Sequence, residues 1–247
     1  MERPVLIVAL DVPTLAAASN LVDRIRPITP WFKIGSTLFT AAGPEAVRMV
    51  HAAGGLVFLD LKFHDIPQTV TGGVAAAVDL GVALLTVHCA GGRAALEAAA
   101  AAAARSEGRT RVLGVTRLTS DAGRVGVSVL RAAAEAQAAG LDGVTASARD
   151  CRRIKARFGA AFRVLTPGIR PAGAEAGDQV RVVTPQQAVR AGSDYLVVGR
   201  PVLTAADPAR AAAAIAAEMQ VAFGRQPAAE RAARPGEAAR AAGGPAP

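Results

Sequence analysis

The chain has 247 residues, of which 51% are hydrophobic and 19% are charged, so it can build a substantial core and is not a wholly disordered chain. Its 28 basic side chains, nearly all of them arginine, outnumber the 20 acidic ones and give a net charge of +8, which suggests anionic partners. Aromatic residues make up only 4% and do not interleave with a basic block, so we do not expect nucleic-acid binding.

Short β-like runs alternate with Ala-rich helical segments as far as Phe223. The predicted strands are Val5–Asp11, Phe32–Gly35, Leu56–Lys62, Leu84–Cys89, Arg111–Thr116, Gly143–Ser147, Arg163–Pro167 and Tyr195–Gly199. The predicted helices are Thr14–Ile25, Pro44–Ala53, Gln68–Leu80, Arg93–Ser106, Ser128–Ala139, Ala148–Phe158, Pro185–Ala191 and Pro208–Phe223. About eight β–α units in a chain of this length predict a closed (β/α)₈ TIM barrel. An open doubly wound sheet shares this alternation, but no G-x-G-x-x-G follows the first strand, which weakens its dinucleotide-binding form.

We expect one barrel domain over residues 1–223. Residues 224–247 contain Gly, Pro, Ala, Arg and Glu without apolar periodicity, which predicts a disordered tail. No charge-free apolar run reaches the roughly 18 residues of a membrane span, and the N-terminus lacks the features of a signal peptide. Two cysteines, Cys89 and Cys151, are too few for a disulfide framework, and their spacing is not that of metal ligands. We therefore expect a cytoplasmic protein that does not bind membranes.

The most informative stretch is DLKFHDIP, which begins at Asp60. Because side chains alternate across a strand, Asp60 and Lys62 share a face that in a barrel points inward near the carboxyl-terminal mouth. Two opposite charges on an inward face are costly unless they serve each other or a ligand. A buried structural ion pair is the alternative interpretation. A third charge, Asp65, lies just beyond the strand end and favours a functional site.

Two more charged residues are predicted to lie at the same end of the barrel. Asp11 continues the inward row of the first strand, two residues after Ala9, and Lys33 lies between Phe32 and Ile34 and so faces away from them. Taken singly, Asp11 could equally well be an acid at a helix N-terminus, and Lys33 could equally well be a charge on the rim of the barrel. Together with the DLKFHDIP stretch, these residues form a cluster of alternating carboxylates and ammonium groups. Such a cluster keeps a lysine protonated, which suits a general acid rather than a nucleophile.

Two arginines follow the last two predicted strands. TPGIRP places Arg170 after the seventh strand, and VVGRP places Gly199 and Arg200 after the eighth. Loops at these positions in such barrels commonly bind phosphate, since glycine lets backbone N–H groups approach and arginine offers a forked donor. Surface arginines on rim loops are the alternative. Residues 172–179, rich in Gly and Ala with polar ends, suit a mobile lid.

These pieces together resemble the bacterial orotidine 5′-phosphate decarboxylase family over essentially Val5 to about Val202. The segments that carry the resemblance are Asp60–Thr69 (DLKFHDIPQT), Val115–Ser120 (VTRLTS), Thr166–Gln179 (TPGIRPAGAEAGDQ) and Val197–Val202 (VVGRPV). The first and third are too long for a chance match, whereas a lone D-x-K-x-x-D also occurs in related phosphosugar barrel enzymes. The resemblance implies a decarboxylase that converts orotidine 5′-phosphate to UMP, in de novo pyrimidine biosynthesis, with no cofactor and no metal.

The resemblance also implies catalytic roles for the matching residues. Lys62 is expected to protonate C6 of the pyrimidine after carbon dioxide leaves. It then belongs to the charged tetrad of a homodimeric active site, whose other members are Lys33, Asp60 and, from a second subunit, Asp65. Thr69 is expected to reach across the same interface.

The remaining matches imply substrate binding. Asp11 and Lys33 are expected to hold the ribose hydroxyls, and Ile66 belongs to the same substrate site. Thr119 or Ser120 is expected to meet the pyrimidine ring, with Thr119 preferred. The 5′-phosphate is expected to be gripped by Arg170, Gly199, Arg200 and, from the lid, Gln179.

Two other functions stay open at this point. The nearer is a magnesium-dependent phosphosugar barrel enzyme, such as a hexulose-phosphate synthase or a keto-gulonate-phosphate decarboxylase, which uses D-x-K-x-x-D with an enediolate intermediate. Turnover of orotidine 5′-phosphate in EDTA separates it from the leading function. The other is a non-catalytic nucleotide-binding protein or a basic RNA-associated barrel. The intact set of Asp60, Lys62 and Asp65 disfavours that second alternative.

Overall fold

The computed structural model describes residues 3–116, 126–171 and 183–225. Within these residues, eight parallel strands close into a barrel in sequence order. They are β1 (Val5–Ala9), β2 (Trp31–Gly35), β3 (Leu56–Phe63), β4 (Leu84–His88), β5 (Arg111–Val115), β6 (Gly143–Thr145), β7 (Arg163–Thr166) and β8 (Tyr195–Val198). Closure is direct, because β1 pairs with both β2 and β8. The predicted barrel is confirmed, and the open doubly wound sheet is wrong.

Helices follow the strands around the outside of the barrel. They are α1 (Leu15–Ile25), α2 (Ser36–Ala42), α3 (Glu45–Ala52), α4 (Pro67–Asp79), α5 (Gly92–Ala104), α6 (Gly126–Ala138), α7 (Ala148–Phe158), α8 (Pro185–Ala191), α9 (Arg200–Leu203) and α10 (Pro208–Gly224). In the described part of the chain, no helix is long and apolar enough to cross a membrane.

Two short helices were not predicted from the sequence. The first, α2, buries only Leu38, and the four-residue α9 buries only Val202. One buried side chain gives no periodic apolar signal, which explains why both were missed. At the other boundary, α10 runs through Gly224, one residue further than expected. The predicted disordered tail lies, from residue 226 onward, outside the described residues.

Several strands end one or two residues earlier than predicted. The first stops at Ala9 rather than at Asp11, and the last stops at Val198 rather than at Gly199. The residues beyond these ends are therefore loop residues at the carboxyl-terminal mouth of the barrel. That is the end at which barrel enzymes carry their sites.

The core has an inner and an outer layer, as strand alternation requires. The outer layer lies under the helices and includes Val57 and Leu59 of β3, which confirms the predicted outward face of that strand. The inner layer fills the barrel with Ile7, Ala9, Phe58, Leu84, Leu113, Leu165, Tyr195 and Val197.

Aromatic and basic side chains close the amino-terminal end of this inner layer. The Trp31 and Tyr195 rings lie with centroids 5.9 Å apart, and Arg111 donates a hydrogen bond of 2.7 Å to the Tyr195 hydroxyl. The barrel is thus a packed core and not a pore. Further polar side chains, among them Lys33 and Asp60, face inward at the opposite, carboxyl-terminal mouth.

Candidate active site

Four charged side chains form an alternating row across β1, β2 and β3 at the carboxyl-terminal mouth. Lys33 Nζ lies 2.8 Å from Asp11 Oδ1 and 3.8 Å from Asp60 Oδ2. Lys62 Nζ lies 2.9 Å from the same Asp60 oxygen. We call Asp11, Lys33, Asp60 and Lys62 the charged row. The structure therefore brings these four predicted site residues together.

Exposure changes along the charged row. The side chains of Lys33 and Asp60 are 11% and 14% exposed, whereas those of Lys62 and Asp11 are 37% and 48% exposed. Attraction between the two inner members is stronger than it is in water, because less solvent screens it. Lys62 presents an ammonium group that a ligand can reach while Asp60 holds it.

A glycine makes room for the Lys33 ammonium. A Cβ atom placed on Gly35 would lie 2.8 Å from Lys33 Nζ and 3.1 Å from Asp11 Oδ1. Any larger residue at this position would push the ammonium away from its carboxylate. Gly35 was not predicted from the sequence as a site residue, although it lies two residues after Lys33 and so on the same strand face.

Thr86, which lies on β4 beside the row, was also not predicted from the sequence. Its hydroxyl donates to Asp60 Oδ1 at 3.0 Å and accepts from the Lys62 backbone N–H at 3.0 Å. The signal that would have found it is alternation, because Leu84 is an inner-layer residue and Thr86 is two positions further along.

Thr145, on the opposite wall of the barrel, ends β6 on the inward face. It pairs with Leu165, which belongs to the inner layer. Its buried hydroxyl has no hydrogen-bond partner among the described residues.

A pair of histidines lies next to Lys62. The His64 and His88 rings stack with centroids 5.0 Å apart and an interplanar angle of 21°. Burial lowers the pKa of His88, and the nearby charges of His64 and Lys62 lower it further. Its Nδ1 accepts a hydrogen bond from the Ala90 N–H, as an unprotonated ring nitrogen does. Neither histidine had a role assigned from the sequence.

Three predicted site residues stand on the exposed edge of this mouth. Asp65 accepts a hydrogen bond of 2.7 Å from the Ile66 N–H, and in the part of the chain that the structure describes its carboxylate joins no ion pair of the charged row. Ile66 is 64% exposed, and Thr69 is exposed on the first turn of α4. One chain alone thus keeps these residues outside the row.

The loops after β7 and β8 lie beside the row because β8 pairs with β1. A Cβ on Gly199 would lie 3.6 Å from Ala9 Cβ and 3.8 Å from Asp11 Oδ2. Arg200 is exposed at the start of α9. Arg170 is buried and donates to the Ile169 carbonyl at 2.9 Å, so it is less open than a rim arginine. Both arginines follow adjacent strands at one end of the barrel.

Two predicted contacts fall outside the described residues. Thr119, with its alternative Ser120, lies in the undescribed range 117–125, and Gln179 lies in 172–182. The described ends of the second range are held together, since the Arg170 N–H donates to the Val183 carbonyl at 3.0 Å.

The comparisons with known proteins show which family the chain belongs to. The family model described as "Orotidine 5′-phosphate decarboxylase / HUMPS family" matches residues 4–215. The chain belongs to this family. It is 52% identical over 232 residues to orotidine 5′-phosphate decarboxylase of Moorella thermoacetica, covering 87% of this chain and 92% of that protein. It is 53% identical over 229 residues to that of Halorhodospira halophila, covering 89% and 97%.

A solved structure of the orotidine 5′-phosphate decarboxylase family has the same fold. The crystal structure of the Lactobacillus acidophilus enzyme is similar with a TM-score of 0.75 and 34% identity, covering 88% of this chain and 99% of that chain. The barrel fold is therefore that of the family.

Proposed function

We propose that this chain is an enzyme that decarboxylates orotidine 5′-phosphate to UMP in pyrimidine biosynthesis. Family membership and relatives of that name at about half identity support the reaction. The observation that carries the proposal is the charged row, in which the Asp60 carboxylate holds the accessible Lys62 ammonium at 2.9 Å.

The reaction requires a cation at one carbon atom. When the bond between C6 and the carboxylate breaks, carbon dioxide leaves and the electron pair stays on C6. That carbanion has no neighbouring carbonyl or cofactor to delocalise it. An ammonium group beside C6 stabilises the charge and then transfers a proton to it. Lys62 is left as a neutral amine and recovers its proton from water.

Lysine usage in the chain supports this role for Lys62. Only three of the 28 basic residues are lysines, and two of them lie in the charged row. The third, Lys155, is bound by Asp194 and by two backbone carbonyls. An arginine stays protonated and cannot serve as a proton donor, whereas lysine can. The site thus uses the basic residue that proton transfer needs.

The other residues of the mouth are proposed to bind substrate. Asp11 and Lys33 are proposed to accept from and donate to ribose hydroxyls, since the 48% exposed Asp11 carboxylate ends the row and holds the Lys33 ammonium beside it. Arg200 and the backbone at Gly199 are proposed to hold the 5′-phosphate, together with Arg170. Contacts to that distant group add binding energy that assembles the charged centre. Thr119 and Gln179 remain predicted contacts.

We further propose a homodimer in which Asp65 and Thr69 enter the partner's site. The exposed positions of both residues support this, because they stand free of their own charged row. Ile66, between them, is a large apolar residue that is 64% exposed. A second copy of the chain would cover this side chain and add a carboxylate next to Lys62.

The magnesium-dependent alternative is less well supported by the chemistry of the site. Both Asp60 oxygens already have partners, since Oδ1 accepts from Thr86 and Oδ2 faces the two ammonium groups. The described residues contain no group of three His, Cys, Asp or Glu side chains that could hold a metal ion. A divalent cation would have to displace an ammonium group and would meet the positive charge of the other.

The first experiment is a spectrophotometric assay of the purified chain with orotidine 5′-phosphate, with and without EDTA. We expect equal turnover in both. Loss of activity in EDTA that magnesium restores would favour the alternative enzyme class, and tight UMP binding without turnover would favour a binding protein.

Replacing Lys62 tests the proton donor. We expect Lys62→Ala and Lys62→Arg each to lower kcat by on the order of 10⁴-fold, since proton transfer and charge stabilisation are both large effects. The arginine variant keeps the charge but cannot give up a proton. Arg48→Ala, which removes an exposed ion pair with Glu45 on α3, is the control and should leave kcat unchanged. Near-normal turnover by Lys62→Arg would refute proton transfer from this residue.

Replacing Arg200 tests the phosphate site. Loss of a charge-assisted hydrogen bond predicts that Arg200→Ala lowers kcat/KM for orotidine 5′-phosphate by roughly 10- to 100-fold. For orotidine without the phosphate we expect less than about a 3-fold change, because the contact is absent. Arg190→Ala, in the last turn of α8, is the matched control. Equal losses on the two substrates would remove the phosphate assignment.

Mixing two inactive variants tests the shared site. Lys62→Ala and Asp65→Ala are each expected to be inactive, but a mixed dimer contains one site with both native residues. Random reassociation predicts recovery of about a quarter of wild-type activity, since half the dimers are mixed and each has one working site. Size-exclusion chromatography checks that dimers form. Dimers that recover no activity would contradict a shared site.

A further inference from the structure

The hydroxyl of Thr86 joins the two central residues of the charged row. It is one group with one proton and two lone pairs, and it uses both functions. It donates to Asp60 Oδ1 and accepts from the Lys62 backbone N–H, each at 3.0 Å. Thr86 is 1% exposed, so water cannot easily replace it in either bond. Asp60 and Lys62 therefore share one buried anchor on the neighbouring strand.

The backbone at Lys62 is in a conformation that needs such an anchor. Its φ is 51°, in the left-handed region that residues with a Cβ seldom adopt. The ladder between β3 and β4 is irregular at this point, since Leu59 pairs with Leu85 and Phe63 pairs with Val87. Four steps of β3 thus oppose two steps of β4. A bulge of this kind re-aims a side chain next to an active site.

Inside this bulge, the Thr86 hydroxyl accepts the hydrogen bond of the Lys62 backbone N–H. A backbone N–H buried without a partner is costly, and here a side chain supplies the acceptor. The same hydroxyl fixes Asp60 Oδ1, which leaves Oδ2 directed at the two ammonium groups. Thr86 thereby fixes both the Lys62 backbone and the Asp60 carboxylate, the two groups whose positions determine the contact between these residues.

We propose that Thr86 is a positioning residue, whose hydroxyl holds the Lys62 backbone and the Asp60 carboxylate in the geometry that aims the Lys62 ammonium at substrate. The effect on turnover rests on the proposed decarboxylase function. The geometric part of the proposal does not, because it concerns the distance and backbone angle within the protein.

The test compares three variants. Thr86→Val keeps the shape and removes the hydroxyl, whereas Thr86→Ser keeps the hydroxyl. Thr29→Val is the matched control, because the buried Thr29 hydroxyl likewise donates one hydrogen bond, here to the Leu6 carbonyl, and accepts one from a backbone N–H, that of Trp31. Thr29 lies at the amino-terminal end of the barrel, far from the charged row. Urea unfolding of every variant reports the fold.

We expect Thr86→Val to lower kcat for orotidine 5′-phosphate by about 10- to 100-fold, because small misplacements of a catalytic group are expensive. KM should change by less than about 3-fold, since the Thr86 side chain is 1% exposed and so is not open to substrate. Thr86→Ser should recover kcat to within about 3-fold of wild type, and Thr29→Val should keep it within about 2-fold.

A crystal structure of Thr86→Val is the second readout. The Lys62 φ should leave the left-handed region, or the distance between Lys62 Nζ and Asp60 should increase. Wild-type kcat in a folded Thr86→Val variant would overturn the proposal while the decarboxylase function stands. A wild-type chain without activity on orotidine 5′-phosphate would instead refute the proposed function. An unchanged φ and distance in the variant structure would then still overturn the positioning role.

Discussion

The site depends on one carboxylate held between two cations. Asp60 accepts from Lys62 and faces Lys33 with the same oxygen, while Thr86 holds the other. A largely buried carboxylate is stable only with such partners. Asp60 in turn stabilises the Lys62 ammonium and, together with Asp11, that of Lys33. The arrangement keeps two positive charges near one point. That is where a reaction that generates negative charge on carbon needs them.

Barrel closure converts separate strand ends into one mouth. The charged row comes from β1 to β3 and the arginine loops from β7 and β8, which are far apart in the chain. Pairing of β8 with β1 brings Gly199 next to Asp11. The packed inner layer and the ring pair of Trp31 and Tyr195 fill the other end. The residues proposed to bind substrate and to transfer the proton therefore share one opening.

The backbone is strained at the residue proposed to transfer the proton. Lys62 is one of the two non-glycine residues with positive φ in the part of the chain that the structure describes. Such a conformation persists only when its surroundings determine it. The surroundings here are a bulge in β3 and a hydroxyl from β4. The strained backbone at Lys62 lowers the stability of the fold, and in the proposed role it also directs the Lys62 ammonium group at substrate.

The sequence by itself determined the repeated β–α units, the inward face shared by Asp60 and Lys62, and the arginines that follow the last two strands. These features are local, because alternation and turns act over a few residues. Only the tertiary structure decided that Thr86 anchors the row, that Gly35 makes room for Lys33 and that Lys62 sits in a bulge. Each of those depends on which strand lies alongside and in what register, and neighbouring strands are distant in sequence.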